Sequence, residues 1–225
     1  MRPALAESAA RRSRTYWLLS RLVLEKPGAA LLAELDATLP APAEAAAEDD
    51  EALADEVGRL GIAVRAALGD PGALEALAVD HTRLFAGIDK GSGTQAPFES
   101  VVLESRLMGD ATLAVEMAYD AAGFAAPAPE AGPPDHIGAE LRFLALACHQ
   151  EMEAWQAGDR AAAAACVGRE QRFLDEHLLA WVPQHCERLA QAAQTPFYRA
   201  AASLIGRACV VDREDVTLLL EQTGA

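Results

Sequence analysis

Lysine is nearly missing from this chain of 225 residues, occurring only at Lys26 and Lys90. Arginine carries the remaining positive charge, and 19 basic residues face 34 acidic ones, for a net charge of −15. No basic cluster follows that could track a phosphate backbone, which argues against a nucleic-acid partner. The same balance disfavours stable association with an anionic membrane. Cysteine occurs four times, at Cys148, Cys166, Cys186 and Cys209, with no CxxC and no tight cluster with histidine. Zinc knuckles and thioredoxin-like pairs are therefore disfavoured, and a reduced cytoplasmic protein is the simplest account. No apolar stretch reaches membrane-spanning length. Arg11-Arg12 before Tyr16-Trp17-Leu18-Leu19 has the outline of an export signal. Arg21, Glu25 and Lys26 break its apolar run, so a first structural helix is expected instead. No segment alternates with period two for long enough to make a strand; Cys209-Val210-Val211 is the one candidate and is too short.

What is present is helical spacing. Hydrophobic residues make up 52% of the chain, enough for a core. Tyr16, Leu19 and Val23 share one face of a first helix, closed by Pro27-Gly28. A short helix over 28–39, another through Leu53, Val57, Leu60 and Val64, and one from Asp70-Pro71 to Leu84-Phe85 follow. Glu99 opens what reads as one long helix ending at Gly123. Ile137, Leu141, Leu144, Cys148, Met152 and Trp155 mark the clearest helix, which Gly158-Asp159 separates from the next. Pro183 and Thr195-Pro196 are expected to introduce two more, with a short terminal piece over Val216 to Leu220. Pro- and Gly-containing connectors are expected near 40–50, 86–98 and 124–134. The fold class is all-α: a single-domain bundle of about nine or ten helices over 1–225.

The chemistry-bearing residues cluster at two irregular joints. One joins Leu84-Phe85 through a Gly-rich loop to Pro97-Phe98-Glu99-Ser100; the other is Pro133-Pro134-Asp135-His136, opening the helix that carries Glu140. Helix ends leave backbone groups unpaired and able to meet a ligand. Structural roles compete at each position. Asp135 suits an N-cap, His136 and Glu140 are spaced to pair on a surface, Phe98 suits a hydrophobic staple, and Glu99 suits a helix N-terminus. Glu140 also borders an apolar stripe, where a carboxylate at a groove margin could meet a cation. A Ser100/His136/Asp135 hydrolase reading lacks the nucleophile elbow, and adjacent Asp135 and His136 do not readily form a triad. None of His81, His136, His149, His177 and His185 follows a glutamate at the Glu-x-x-His spacing, so a di-metal bundle is disfavoured and no metal is expected. The acidic run from Glu44 to Glu56 reads as a solvated face.

These residues resemble a known family. His81-Thr82-Arg83-Leu84-Phe85-Ala86-Gly87, Pro97-Phe98-Glu99-Ser100-Val101 and Pro134-Asp135-His136-Ile137-Gly138-Ala139-Glu140-Leu141 are similar, in that order, to signatures of the TorD/DmsD/NarJ chaperones. Phe173-Leu174, His177-Leu178-Leu179, Trp181 and Thr195-Pro196-Phe197-Tyr198 extend the likeness. Two positions depart from the pattern: His81 stands where an aromatic is expected, and Leu144 replaces a frequent methionine. The resemblance implies an all-helical, TorD-like cytoplasmic chaperone without catalytic activity or a cofactor of its own. Its partner would be the precursor of a molybdopterin-containing oxidoreductase subunit, held through its twin-arginine signal peptide until cofactor insertion, alongside molybdenum-cofactor delivery proteins. Carried onto this chain, the peptide-binding positions are Leu84, Phe85, Phe98, Glu99, Ser100, Asp135, His136 and Glu140. The acids would take the arginine end, and Leu84, Phe85 and Phe98 the apolar end. Monomer and homodimer are both compatible. The competing classes are a general helix-binding adaptor and a helical hydrolase or metalloenzyme.

Overall fold

The computed structural model describes residues 2–39, 51–85 and 95–223. The connector over 40–50, most of the acidic run and the Gly-rich residues 86–94 lie outside them. Ten α-helices occur among the described residues: α1 (Arg2–Leu24), α2 (Ala29–Thr38), α3 (Glu51–Leu68), α4 (Ala73–Phe85), α5 (Glu99–Glu104), α6 (Asp110–Ala121), α7 (Ile137–Ala157), α8 (Arg160–Phe173), α9 (Leu179–Ala192) and α10 (Pro196–Thr223). A 3₁₀ turn covers Pro129–Ala131 and a π turn covers Leu174–Leu178. No strand occurs among the described residues, and Cys209, Val210 and Val211 lie within α10. The protein is all-α.

Three helix boundaries differ from the sequence reading. The long helix expected from Glu99 breaks after Glu104, where Ser105 and Met108 adopt φ of 60° and 59°. The Glu104 carboxylate caps the restart by accepting from the amides of Asp110 and Ala111. Pro183 lies inside α9 rather than opening it. Its ring removes one intrahelical hydrogen bond, and the π turn just upstream belongs to the same run of chain. The terminal piece over Val216 to Leu220 continues α10 without interruption.

The chain divides into two compact units. The first holds residues 1–24, 98–181 and 212–225. Its centre is α7, whose residues Ile137 to Ala145 are all buried, as expected of a helix packed on every side. α1 packs along α7, and α7 along α8. Tyr16, Leu19 and Val23 of α1 and Leu141, Leu144 and Cys148 of α7 are the buried stripes that make this possible. Gly138 permits a close approach here, since a Cβ at that position would lie 2.5 Å from Leu24 Cγ.

A second core feature of this unit is ionic. Arg12 Nη1 donates to Glu151 at 2.9 Å, Nη2 to Glu170 at 2.6 Å, and Nε to Asp212 at 2.5 Å. Tyr16 Oη donates to Asp212 and Trp155 Nε1 to Glu151, both at 2.7 Å. One guanidinium thus serves three buried carboxyls contributed by α7, α8 and α10. Burial pushes the Glu170 carboxyl up to about 8 against the pull of Arg12. The Glu151 carboxyl is raised for the same reason.

The second unit holds residues 25–97 and 182–211. α2 buries Leu31, Leu32 and Leu35 and packs against α3, which buries Leu60 and Val64. Asp80 of α4 fixes the turn before α10. Its Oδ2 accepts from the amides of Gln194 and Thr195 and from Thr195 Oγ1, at 2.8–3.0 Å.

Candidate functional site

Six of the eight residues singled out by sequence, Phe98, Glu99, Ser100, Asp135, His136 and Glu140, meet within the first unit. Phe98 and His136 form an isolated antiparallel bridge, with their rings edge to face at 5.0 Å. The Glu99 amide donates to the Asp135 carbonyl at 2.9 Å, and the Ser100 amide donates to Asp135 Oδ2 at 2.9 Å. Asp135 is therefore an N-terminal cap, but of α5, 35 residues earlier in the chain, and not of α7 as the sequence suggested. His136 caps α7 itself, its Nδ1 accepting from the Gly138 amide at 3.1 Å. Each joint is held by residues of the other.

Glu140 is also relocated. It does not stand at a groove margin or pair with His136 on a surface; it is fully buried, and His136 is nearly so. Trp181 Nε1 donates to Glu140 Oε2 at 3.3 Å. Burial, with Glu99 and Asp135 nearby, drives the Glu140 carboxyl well above the usual range, favouring the neutral acid. Burial and the same three acids push the Tyr119 phenol well up, and its hydroxyl donates to the Pro134 carbonyl at 2.9 Å. Ser100 Oγ, Asp135 Oδ1 and Glu140 Oε1 are buried without a hydrogen-bond partner. Unpaired buried polar atoms are costly, so this acidic joint carries a stability penalty that the surrounding packing offsets. Ser100 Oγ makes no contact with a base, so the nucleophile–base bond a hydrolase requires is missing. Among the described residues no group of three or more His, Cys, Asp or Glu is arranged to hold a metal.

Glu99 differs from its neighbours because it faces an open cavity of about 630 Å³. His177 Nδ1 approaches both Glu99 carboxylate oxygens, at 3.1 and 3.3 Å; since a carboxylate only accepts, the imidazole donates. His177 sits on the π turn Leu174–Leu178. The cavity walls come from α6, through Ala114, Met117 and Ala118, and from Phe143 and Phe173. An aromatic series runs into it: Phe143 to Phe173 at 4.4 Å and Phe173 to His177 at 4.8 Å between ring centroids.

The remaining two expected residues, Leu84 and Phe85, lie in the second unit. Both are buried, and Phe85 packs with His81 at 5.4 Å and with Tyr198 at 5.6 Å. Sequence reasoning did not assign Tyr119, His177, Trp181 or the α6 wall to the site. His177 and Trp181 were signalled, because a histidine interrupts the apolar spacing of Phe173, Leu174, Leu178 and Trp181. Tyr119 carried no such signal.

Residues 28–187 match the family described as nitrate reductase delta subunit. Proteins named chaperone protein TorD from two Vibrio cholerae serotype O1 strains, Classical Ogawa 395 and El Tor Inaba N16961, are each 27% identical to the chain over 219 residues, covering 95% of both sequences. The match spans both units and includes both joints and the His177 turn, and on that ground the chain belongs to the nitrate reductase delta subunit family, to which the NarJ- and TorD-type proteins belong.

Proposed function

We propose that this protein is a TorD-type chaperone of the cytoplasm that binds the precursor of a molybdenum-cofactor oxidoreductase subunit through its twin-arginine signal peptide and holds it for cofactor insertion. Its relatives are named as chaperones, and the role is one of binding without catalysis. No helix among the described residues is long and apolar enough to cross a membrane, which is compatible with action before export.

The observation that carries this reading is the acidic joint itself. Glu99 and Asp135 lie close enough to Glu140 to raise its proton affinity, and Glu99 lines a cavity with an apolar wall. A twin-arginine leader combines guanidinium groups with an apolar segment, and a receptor for it needs both features side by side. Phe98, Ser100 and His136 belong to the same joint and hold it together behind the cavity lining. The test is capture of the precursor. When the chain is co-expressed with a molybdenum-enzyme subunit from its own source, the precursor should co-purify and a leaderless version should not. Equal recovery of the leaderless subunit defeats the reading.

A further inference from the structure

Resting on the leader-binding reading above, we infer that the cavity beside α6 seats an arginine side chain of the leader with its apolar neighbours, that Glu99 is the ionic contact, and that Asp135 and His136 act only by positioning Glu99. Three observations converge on this division of roles. First, Glu99 lines the cavity while Asp135 and Glu140 do not. Second, Asp135 is already committed. Its carbonyl and one carboxylate oxygen accept the first two amides of α5, fixing the helix that carries Glu99. His136 is committed in the same way to the Gly138 amide. Third, His177 presents one ring nitrogen to both Glu99 oxygens, at 3.1 and 3.3 Å. A guanidinium fork makes the same two-oxygen contact with better geometry and a fixed charge, so it replaces the imidazole there.

The surroundings define the occupant. A volume of about 630 Å³ suits an arginine with one or two apolar neighbours rather than a folded element. Met117, Ala118, Phe143 and Phe173 give the apolar wall. Charge on the lining is divided: Glu99 and Glu176 stand against Arg169 and Arg172. Arg169 donates to Gln150 Oε1 at 2.9 Å. That pair of arginines repels a long basic stretch, so one cation followed by apolar residues fits better than a polybasic segment. Met117, the most exposed large apolar residue of the described chain at 65%, lies at the mouth, where an incoming apolar side chain would cover it.

Calorimetry on the full chain tests the assignment with two probes: a twin-arginine leader peptide from a molybdenum enzyme, and a short apolar peptide bearing a single arginine. Glu99→Gln is expected to weaken both by roughly tenfold or more, the loss of one charge-assisted pair. Asp135→Asn is expected to bind within about threefold of the parent, because asparagine caps as well as aspartate. Asp135→Ala should weaken binding, and the asparagine variant is then its rescue. Met117→Lys, at an exposed wall position that does not threaten folding, should also weaken both probes. Parental affinity in Glu99→Gln or Met117→Lys overturns the inference, as does an Asp135→Asn loss equal to that of Glu99→Gln. If the parent ignores the twin-arginine peptide yet binds the single-arginine probe through Glu99, the cavity stands and the leader reading falls. If the leader binds with no dependence on Glu99 or Met117, the reading stands and the cavity assignment falls. Binding of neither probe removes both.

Discussion

Raising the pH from 5 to 8 should destabilise this protein, and Glu170→Gln should remove part of the effect, the raised carboxyls of Glu151 and Glu140 supplying the rest. Glu170 is buried against Arg12 in a cluster of one guanidinium and three carboxyls, so full ionisation leaves a net charge of 1 − 3 = −2 in the core. Its carboxyl is raised from 4.5 to about 8 in the folded protein, with burial the main cause. The folded state therefore keeps a proton that the unfolded chain releases above 4.5. The stabilisation is complete below that pH and is lost as pH rises through about 8. At about 1.4 kcal/mol per pH unit for one proton, the span corresponds to on the order of 4 kcal/mol, a large part of ordinary domain stability. Glu151 shares the cluster, so the two carboxyls titrate together, and the proton belongs to the pair. Replacing Glu170 with glutamine keeps an acceptor for Arg12 and removes the titration. Urea unfolding followed by circular dichroism at pH 5, 6, 7 and 8, at fixed ionic strength, reads the slope. The parent should lose stability steadily, while Glu170→Gln should be flatter and more stable than the parent at pH 8. An equal slope in both proteins, or a flat parent, refutes the cluster argument.

Removing the cation instead should be severe. Arg12→Met leaves three buried carboxyls uncompensated and should cost about 3–5 kcal/mol at pH 7, partly recovered at pH 5, in the same unfolding assay. Gly138→Ala should lower stability by about 1–3 kcal/mol, because its methyl group would meet Leu24 Cγ at 2.5 Å in a packed interior; an unchanged melting temperature contradicts that packing. All four cysteines are free and buried, and burial holds the Cys186 thiol up at about 12. A thiol reagent at pH 8 should therefore react slowly with the native protein and label four positions on unfolding; rapid native labelling would show that the cores open more readily than described.

The helices were legible because their signals are local. Gly158-Asp159 separates two helices as the sequence implied, Gly158 as a left-handed cap of one and Asp159 as a side-chain cap of the next. The break after Glu104 was not legible, because Ser105 and Met108 adopt positive φ without a glycine to announce it. Pro183 misled in the other direction. Proline most often starts a helix, but here the surrounding packing retains it inside one. At the site, the sequence identified both joints but not their reciprocity. A capping aspartate is normally read onto the helix that follows it, whereas Asp135 caps a helix 35 residues away. Contacts of that range leave no periodic trace. The displacement of Glu140 from margin to interior has the same origin, since Trp181 reaches it across 41 residues. Leu84 and Phe85 read as one joint with Phe98 because a Gly-rich loop links them in the chain; both belong to the second unit, where Phe85 packs with His81 and Tyr198.

Hydrogen exchange with and without a twin-arginine leader peptide tests the central claim most directly. The account predicts new protection in residues 99–104, 110–121 and 173–178, the segments that carry Glu99, the apolar wall and His177. Protection confined to 73–85, with those three segments unchanged, would contradict it.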